Sequence, residues 1–294
     1  MDRRNFIIKG TRLGTGLTLS PLLATAPALA QLPTARVKEP VKTNDQRNTE
    51  GKRRIFITGS SDGLGHAAAQ TLLASGHQVV VHVRSRARLQ AVNSLVEQGA
   101  IATIGDLSDL EQTRDLARQV NAIGQMDAVI HNAGVMSGPQ VLTVNVVAPY
   151  LLTALIQRPS RLIYLSSSMH ASGLPKLEGM DWSGHKVTST YSDSKLFLTT
   201  LAMAVVRLWP EVFSNAVDPG WVPTKMGGAN APDDMRLGHL TQEWLATSDE
   251  PQALTSGGYW HHQHRSEPHA AARDEHFQNQ LLGELARVTQ TRLV

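Results

Sequence analysis

The sequence predicts an α/β fold, a single doubly wound parallel sheet with helices on both faces. Three observations predict it. From residue 53 onward, short β-branched runs alternate with helical stretches. The connections between them are short, which favours parallel pairing through right-handed crossovers. A chain of 294 residues, 41% hydrophobic, can fill one large core. We see no internal repeat and no second domain.

The elements follow in order. The chain opens with Met1, Asp2, Arg3, Arg4, Asn5, Phe6, Ile7, Ile8 and Lys9. Paired arginines, a spaced Phe and a following Lys resemble the twin-arginine export signal of bacteria. An uncharged, weakly apolar stretch from Leu13 to Ala30 comes next and ends in Ala28-Leu29-Ala30, a small-x-small cleavage pattern. We expect a signal over 1–30, cleavage after Ala30 and a periplasmic or otherwise exported protein. The alternatives are an uncleaved membrane anchor, which Thr, Gly and Pro make weakly hydrophobic, and a cytoplasmic location. Residues 31–52, with Pro33 and Pro40 among polar neighbours, read as a linker. The domain then runs over 53–294.

Strands are expected over Arg54–Thr58, Gln78–Val83, Ala100–Ile104, Ala128–His131, Arg161–Ser166, Ser214–Val217 and Gly257–Trp260. Helices are expected over Leu64–Ser75, Arg86–Glu97, Leu110–Ala122, Val141–Gln157, Ser192–Arg207 and around Leu240–Ala246. Ser108 offers a helix N-cap. The Gly-, Pro- and Asp-rich stretch Pro223–Leu240 breaks the alternation and reads as a flap over a site.

Composition removes several function classes. There is no cysteine, so disulfide scaffolds, thiolate metal sites and cysteine nucleophiles are excluded. The net charge of +3 is matched by residues 1–30, where Arg3, Arg4, Lys9 and Arg12 stand against Asp2. The rest of the chain is neutral, and basic residues near its end alternate with acidic ones, against a nucleic-acid partner. His261, His262, His264 and His269 crowd one segment, but their spacing matches no helix-face metal pair and no acidic partner is obvious. We assign no metal and expect a solvated or interface segment. Trp221, Met226, Trp244 and Trp260 are candidates for an apolar pocket or for core.

The chemistry is carried by a few motifs. Thr58-Gly59-Ser60-Ser61-Asp62-Gly63-Leu64-Gly65 follows the first strand. Glycines there permit a tight turn and close approach of a pyrophosphate, and the helix that follows offers free N–H groups. At the end of the second strand, His82-Val83-Arg84-Ser85-Arg86 holds no acid. Arg84 can grip a ribose 2′-phosphate, so NADP is favoured over NAD; otherwise these arginines solvate a helix start. Asp106 either accepts the adenine amino group or ends a strand. Tyr191 and Lys195 stand four apart on one helix face. A phenol of pKa about 10 is a poor base at neutral pH, and a fixed ammonium nearby lowers that value.

This ordered set resembles the short-chain dehydrogenase/reductases over residues 53–294. The motifs are Thr58-Gly59 with Gly63 and Gly65, Asp106-Leu107, Asn132-Ala133-Gly134, Asn145, Leu165-Ser166-Ser167, Tyr191 with Lys195, and Pro219-Gly220 with Thr224. Arg84 and the long segment before Tyr191 look closest to the retinol-dehydrogenase-like branch. The resemblance implies a Rossmann-like fold and hydride transfer between nicotinamide and an alcohol or carbonyl carbon. It makes Tyr191 the proton donor or acceptor, tuned by Lys195. Ser167 binds the substrate oxygen, with Ser168 as a rival, and Asn145 holds a water, unless it is only a satisfied polar helix residue. Gly59, Ser61, Gly63, Leu64, Gly65, Arg84, Asp106, Leu107, Asn132, Ala133 and Gly134 belong to the nucleotide site. Pro219, Gly220, Val222 and Thr224 line the nicotinamide, with Tyr191 and Lys195 beside it.

Two departures stand out. Ser167 lies 24 residues before Tyr191, a longer gap than in many members, and the intervening segment holds Asp181-Trp182 and Gly184. Only 13 residues separate Asn132 from Asn145, a short connection that could open one cleft wall. The partner expected is a small to medium, fairly apolar substrate molecule, with a homo-oligomer as a further expectation of the resemblance. The competing class is a non-catalytic NADP-binding sensor or scaffold.

Overall fold

The computed structural model describes residues 51–294. The export signal expected over 1–30 and all but the end of the 31–52 linker lie outside the described residues.

Eight strands form one sheet in the order β3-β2-β1-β4-β5-β6-β7-β8. They are β1 (Arg54–Ile57), β2 (Gln78–Val83), β3 (Ile101–Ile104), β4 (Ala128–His131), β5 (Arg161–Leu165), β6 (Phe213–Asp218), β7 (Tyr259–His261) and β8 (His264–Ser266). The pairings from β3 across to β7 are parallel, and β8 returns antiparallel to β7. The order reverses between β1 and β4, the place where an open α/β sheet leaves a crevice at its carboxyl ends.

Seven α-helices are described: α1 (Gly63–Ala74), α2 (Asn93–Glu97), α3 (Leu110–Ile123), α4 (Ala148–Leu155), α5 (Tyr191–Leu208), α6 (Met235–Thr247) and α7 (Glu275–Thr289). Alternation along β1 sorts them. Ile55 and Ile57 join one core with Ala68, Ala69 and Leu72 of α1 and with Trp244 and Leu245 of α6. Phe56 joins the other, with Leu116 of α3, Leu201 of α5 and Leu281 of α7. Both faces are covered, so the strands are apolar on both sides, as a parallel sheet requires.

The strand expectations hold to within about two residues. Several others need correction. The Arg86–Glu97 helix begins as a 3₁₀ segment, Arg86–Val92, before α2. The Val141–Gln157 helix contains a π turn at Thr143–Val147 and ends at Leu155. Ser108 is not the N-cap of α3. Asp109 is, accepting from the N–H groups of Glu111 and Gln112, while Ser108 bonds Asp106. The last third of the expected flap is helix: Asp234 caps α6 from Met235 onward. β8 and α7 were not expected. β8 is exposed throughout and carries no apolar alternation. α7 had a readable signal in the Asp274 cap and the Phe277, Leu281, Leu285 stripe.

Candidate active site

The nucleotide end is built from backbone. Gly59 and Gly63 take left-handed φ values of +67° and +54°, which favour glycine. A Cβ on Gly65 would lie 2.4 Å from Asn132 Nδ2 and 2.8 Å from the Gly59 carbonyl, so α1 starts where only glycine fits. The turn after β4 locks against the turn after β1. Thr58 Oγ1 accepts from the N–H groups of Asn132 and Ala133, each at 3.0 Å, and Asn132 Nδ2 donates to the Thr58 carbonyl at 2.9 Å.

His82 completes this frame. Its Nδ1 accepts from Gly59 N at 3.0 Å, and its Nε2 lies 2.7 Å from the Gly105 carbonyl, to which it donates as the Nε2–H tautomer. Burial pushes the imidazole down to about 4, so it is neutral at physiological pH and can accept from Gly59. The glycine turn is thereby tied to both β2 and β3. Asp62 caps α1, accepting from Gly63 N at 2.8 Å. Its other oxygen takes the Lys225 ammonium, a hydrogen bond that holds this carboxyl below the usual range.

A cleft of about 650 Å³ runs across these elements. Gly59, Ser61, Gly63 and Leu64 line it at the α1 end, with Arg84, Asp106 and Leu107 beside them. Asn132, Ala133 and Gly134 form the middle wall, and Tyr191, Lys195, Pro219 and Thr224 the far end. Gly65 and Val222 are buried behind this surface; Val222 packs where Gly238 of α6 comes close to Leu64. Gly220, at φ +81°, turns the chain after Pro219. Val135, Gln140 and Val144 close the wall that the short Asn132–Asn145 connection leaves.

At the far end, a capping box starts α5. Thr190 Oγ1 accepts from Asp193 N, and Asp193 Oδ2 accepts from Thr190 N. This puts Tyr191 in the first turn, facing the cleft. Asp193 also accepts from Leu174 N at 2.8 Å, which ties the long 173–190 segment to the helix start. The Tyr191 hydroxyl lies 3.9 Å from Met226 Sδ and interacts with the Ser167 hydroxyl. Ser167 also accepts from Met169 N at 3.2 Å and caps the 3₁₀ turn Ser168–Ser172, so Ser168 belongs to that turn. Lys195 is 3% exposed; its Nζ donates to the Leu165 carbonyl at 2.6 Å and stands 5.4 Å from the Tyr191 ring centre.

The electrostatics differ from the simple expectation for a phenol beside an ammonium. Burial pushes Tyr191 up to about 12, against the pull of the Ser167 hydrogen bond, and Asp218 pushes it the same way as burial. Burial pushes Lys195 down to about 8, with Asp218 opposing. Asn145 is fully buried beside Lys195. Its Oδ1 accepts from Val135 N at 2.8 Å, and its Nδ2 donates to Val135 O and Ser194 Oγ. Both amide donors are therefore committed inside the protein, and one Oδ1 lone pair remains for a water.

The residues fit a dinucleotide. Gly59 and Gly63 line the cleft at the α1 N-terminus, where a pyrophosphate can approach the backbone. Arg84 and Arg88 put two guanidinium groups on the adenosine side. Arg88, His82, Asp218 and Lys225 were missed in the sequence. A histidine in the apolar run Val79–Val83 and a second arginine four residues after Arg84 were the available signals. Among the tryptophans, Trp244 and Trp260 pack edge to face in the core, while Trp221 is 60% exposed. Of the four clustered histidines, His261 stacks on His262 and His269 caps a 3₁₀ turn. Among the described residues, no three His, Asp or Glu side chains gather as a metal site.

A family model described as short chain dehydrogenase matches residues 53–159. Short-chain dehydrogenase chry4 of Gibberella zeae is 37% identical over 235 residues, covering 75% of this chain and 91% of that protein. Human retinol dehydrogenase 13 is 26% identical over 200 residues, covering 60% of each. Among solved structures, an uncharacterised protein of Mycobacterium paratuberculosis superposes with a TM-score of 0.68 at 24% identity, covering 82% of this chain and 95% of that one. A blue fluorescent protein from a metagenomic library, solved with NADPH, gives 0.60 at 22%, covering 70% and 94%. At these identities the two structures establish the fold.

Proposed function

The chain belongs to the short-chain dehydrogenase family of oxidoreductases, and from that premise we propose that it transfers hydride between NADP and an alcohol or carbonyl carbon. One observation carries the reading. Tyr191, hydrogen-bonded to Ser167, and Lys195 line one end of a cleft whose other end presents a glycine turn, Arg84 and Arg88. The NADPH held by the metagenomic structural neighbour agrees with the two arginines.

When bound, the nicotinamide cofactor supplies the hydride. The chain's own residues do the rest. Free N–H groups at the α1 start receive the pyrophosphate, and Arg84 and Arg88 hold a 2′-phosphate that NAD lacks. Ser167 donates a hydrogen bond to the substrate oxygen. Tyr191, buried and protonated, gives that oxygen its proton during carbonyl reduction and takes it back in the reverse direction. Lys195, fixed on Leu165, places a positive charge next to the phenol and meets ribose hydroxyls. Asn145 holds the Val135 wall against Ser194, so Lys195 keeps its place. Met226 lines the cleft beside the phenol, an apolar contact that suits a fairly apolar substrate.

Export through the twin-arginine route is part of the same proposal. That route carries folded proteins, which lets cofactor be loaded before crossing. The test is a titration with NADPH and NADH, followed by a screen of apolar ketones and aldehydes for loss of the reduced-nicotinamide absorbance. We expect NADPH to bind more tightly and at least one carbonyl to be reduced. No binding of either cofactor refutes the reading.

A further inference from the structure

The ends of β5, β6 and β7 hold a buried polar group beside Ser166, which follows the Leu165 carbonyl that Lys195 Nζ bonds at 2.6 Å and whose own Oγ lies 3.5 Å from the Lys195 carbonyl. Register places Tyr164, Ala216 and Tyr259 side by side, and two residues on Asp218 pairs with His261. Ser166, whose N–H donates to the Val217 carbonyl at 2.7 Å, flanks Asp218 on the β5 side. Side chains alternate along a strand, so all of these point to the face covered by α5. Tyr259 and Ala216 lie in that face's core, and Ser166 Oγ meets Thr199 Oγ1 of α5 at 2.6 Å.

Asp218 is only 6% exposed. Its Oδ1 accepts from Gly220 N at 3.1 Å, and its Oδ2 lies 3.5 Å from His261 Nδ1, a pair that is ionic only when the imidazole is protonated. The Tyr259 ring packs on His170 at 4.4 Å. The Tyr259 hydroxyl is buried without a well-directed hydrogen bond, though close enough to Asp218 and Ser166 to interact with both. A buried carboxylate is costly unless other groups compensate it. Here the compensation comes from Gly220 N–H and the Lys195 ammonium.

We propose that Asp218 is a positioning residue for the proton step, its carboxylate supplying the negative charge behind Tyr191 and Lys195 that decides when they release their protons. The inference rests on the oxidoreductase reading of that pair. Asp218 favours the protonated form of both groups, adding to burial at Tyr191 and opposing it at Lys195. The phenol stays a donor, the state that carbonyl reduction uses. The other titratable groups facing Asp218 are Tyr191 and Lys195 from α5, His170 from the turn after β5, and Tyr259 and His261 from β7. Asp233 lies beyond it, beside Gly220 and His262.

The experiment follows NADPH-dependent carbonyl reduction across pH in wild type, Asp218→Asn, Asp218→Glu and Tyr191→Phe. Asparagine keeps an oxygen for Gly220 N–H and removes the charge. The alkaline limb of kcat/KM should move to lower pH by about one unit in Asp218→Asn and return to the wild-type position in Asp218→Glu. NADPH affinity should stay within about twofold, because no cofactor contact changes. If Asp218→Asn does not fold, Asp218→Ser, which also keeps an acceptor, carries the same expectation. A folded variant without the carboxylate whose limb stays in place overturns the proposal, as does a shift that glutamate does not restore. Tyr191→Phe separates the two levels. If it turns over like wild type, the oxidoreductase reading itself fails; if it is inactive while the Asn limb is unmoved, only the role of Asp218 fails.

Discussion

At the glycine turn after β1 the wall of the cleft is backbone, with Arg84 and Arg88 beside it; at the end beside β5 and β6 the wall is set by the ionisable pair Tyr191 and Lys195. The first end is defined by three glycines, a helix N-terminus and a neutral histidine that accepts from Gly59 N. The second is defined by Lys195 and Asp218, both held out of water, and by Tyr191, half-buried and facing the cleft. Shape governs the nucleotide end, so added atoms there damage binding. Charge governs the proton-transfer end, so isosteric changes there damage turnover or its pH dependence while binding persists.

The sharpest way to break this contrast is Gly65→Ala. The new methyl meets Asn132 Nδ2 and the Gly59 carbonyl, neither of which can move without opening the β1–β4 lock. We expect a stability loss at or above the top of the ~1–3 kcal/mol overpacking range, with cofactor binding lost. Thermal melts and an NADPH titration check it, and a variant that binds like wild type removes the steric account.

Acid is the next lever. His82 is held at about 4 in the fold against about 6.5 for a free imidazole, so protonation favours the unfolded chain. Its stabilising contribution is complete above pH ~6.5 and is lost as pH falls from there toward 4, a change on the order of 3 kcal/mol. Melting temperature should drop across that window. In His82→Gln, a less stable protein, the part of the drop due to His82 should disappear.

A smaller effect is expected from Arg84→Ala. It should weaken NADPH by roughly 10- to 100-fold and leave NADH nearly unchanged, as loss of one charge-assisted contact implies. Equal losses for the two cofactors would assign these arginines to solvation of the helix start instead.

Much of this contrast was legible in the chain. Glycine spacing, the β-branched strands and the Tyr191–Lys195 interval are local patterns, and local geometry decides what they do. The remainder depends on register. Asp218 matters because β6 lies between β5 and β7, which brings it against Ser166 and His261; no spacing along the chain announces that. His82 looked like a strand residue because its partners, Gly59 and Gly105, come from two other connections. The direction of the Tyr191 shift was misjudged for the same reason. Four-residue spacing predicts closeness to Lys195, but the extent of burial and the carboxylate behind the pair are products of packing. β8 was missed because it buries nothing.

In the proposed reaction one phenol performs the proton step, in a cleft whose cofactor site does not depend on it. The direct measurement is NADPH affinity and carbonyl turnover in Tyr191→Phe, which removes one oxygen and keeps the ring. Affinity should stay within about threefold of wild type while kcat falls by about 10²- to 10⁴-fold. A variant that keeps wild-type turnover would contradict the account.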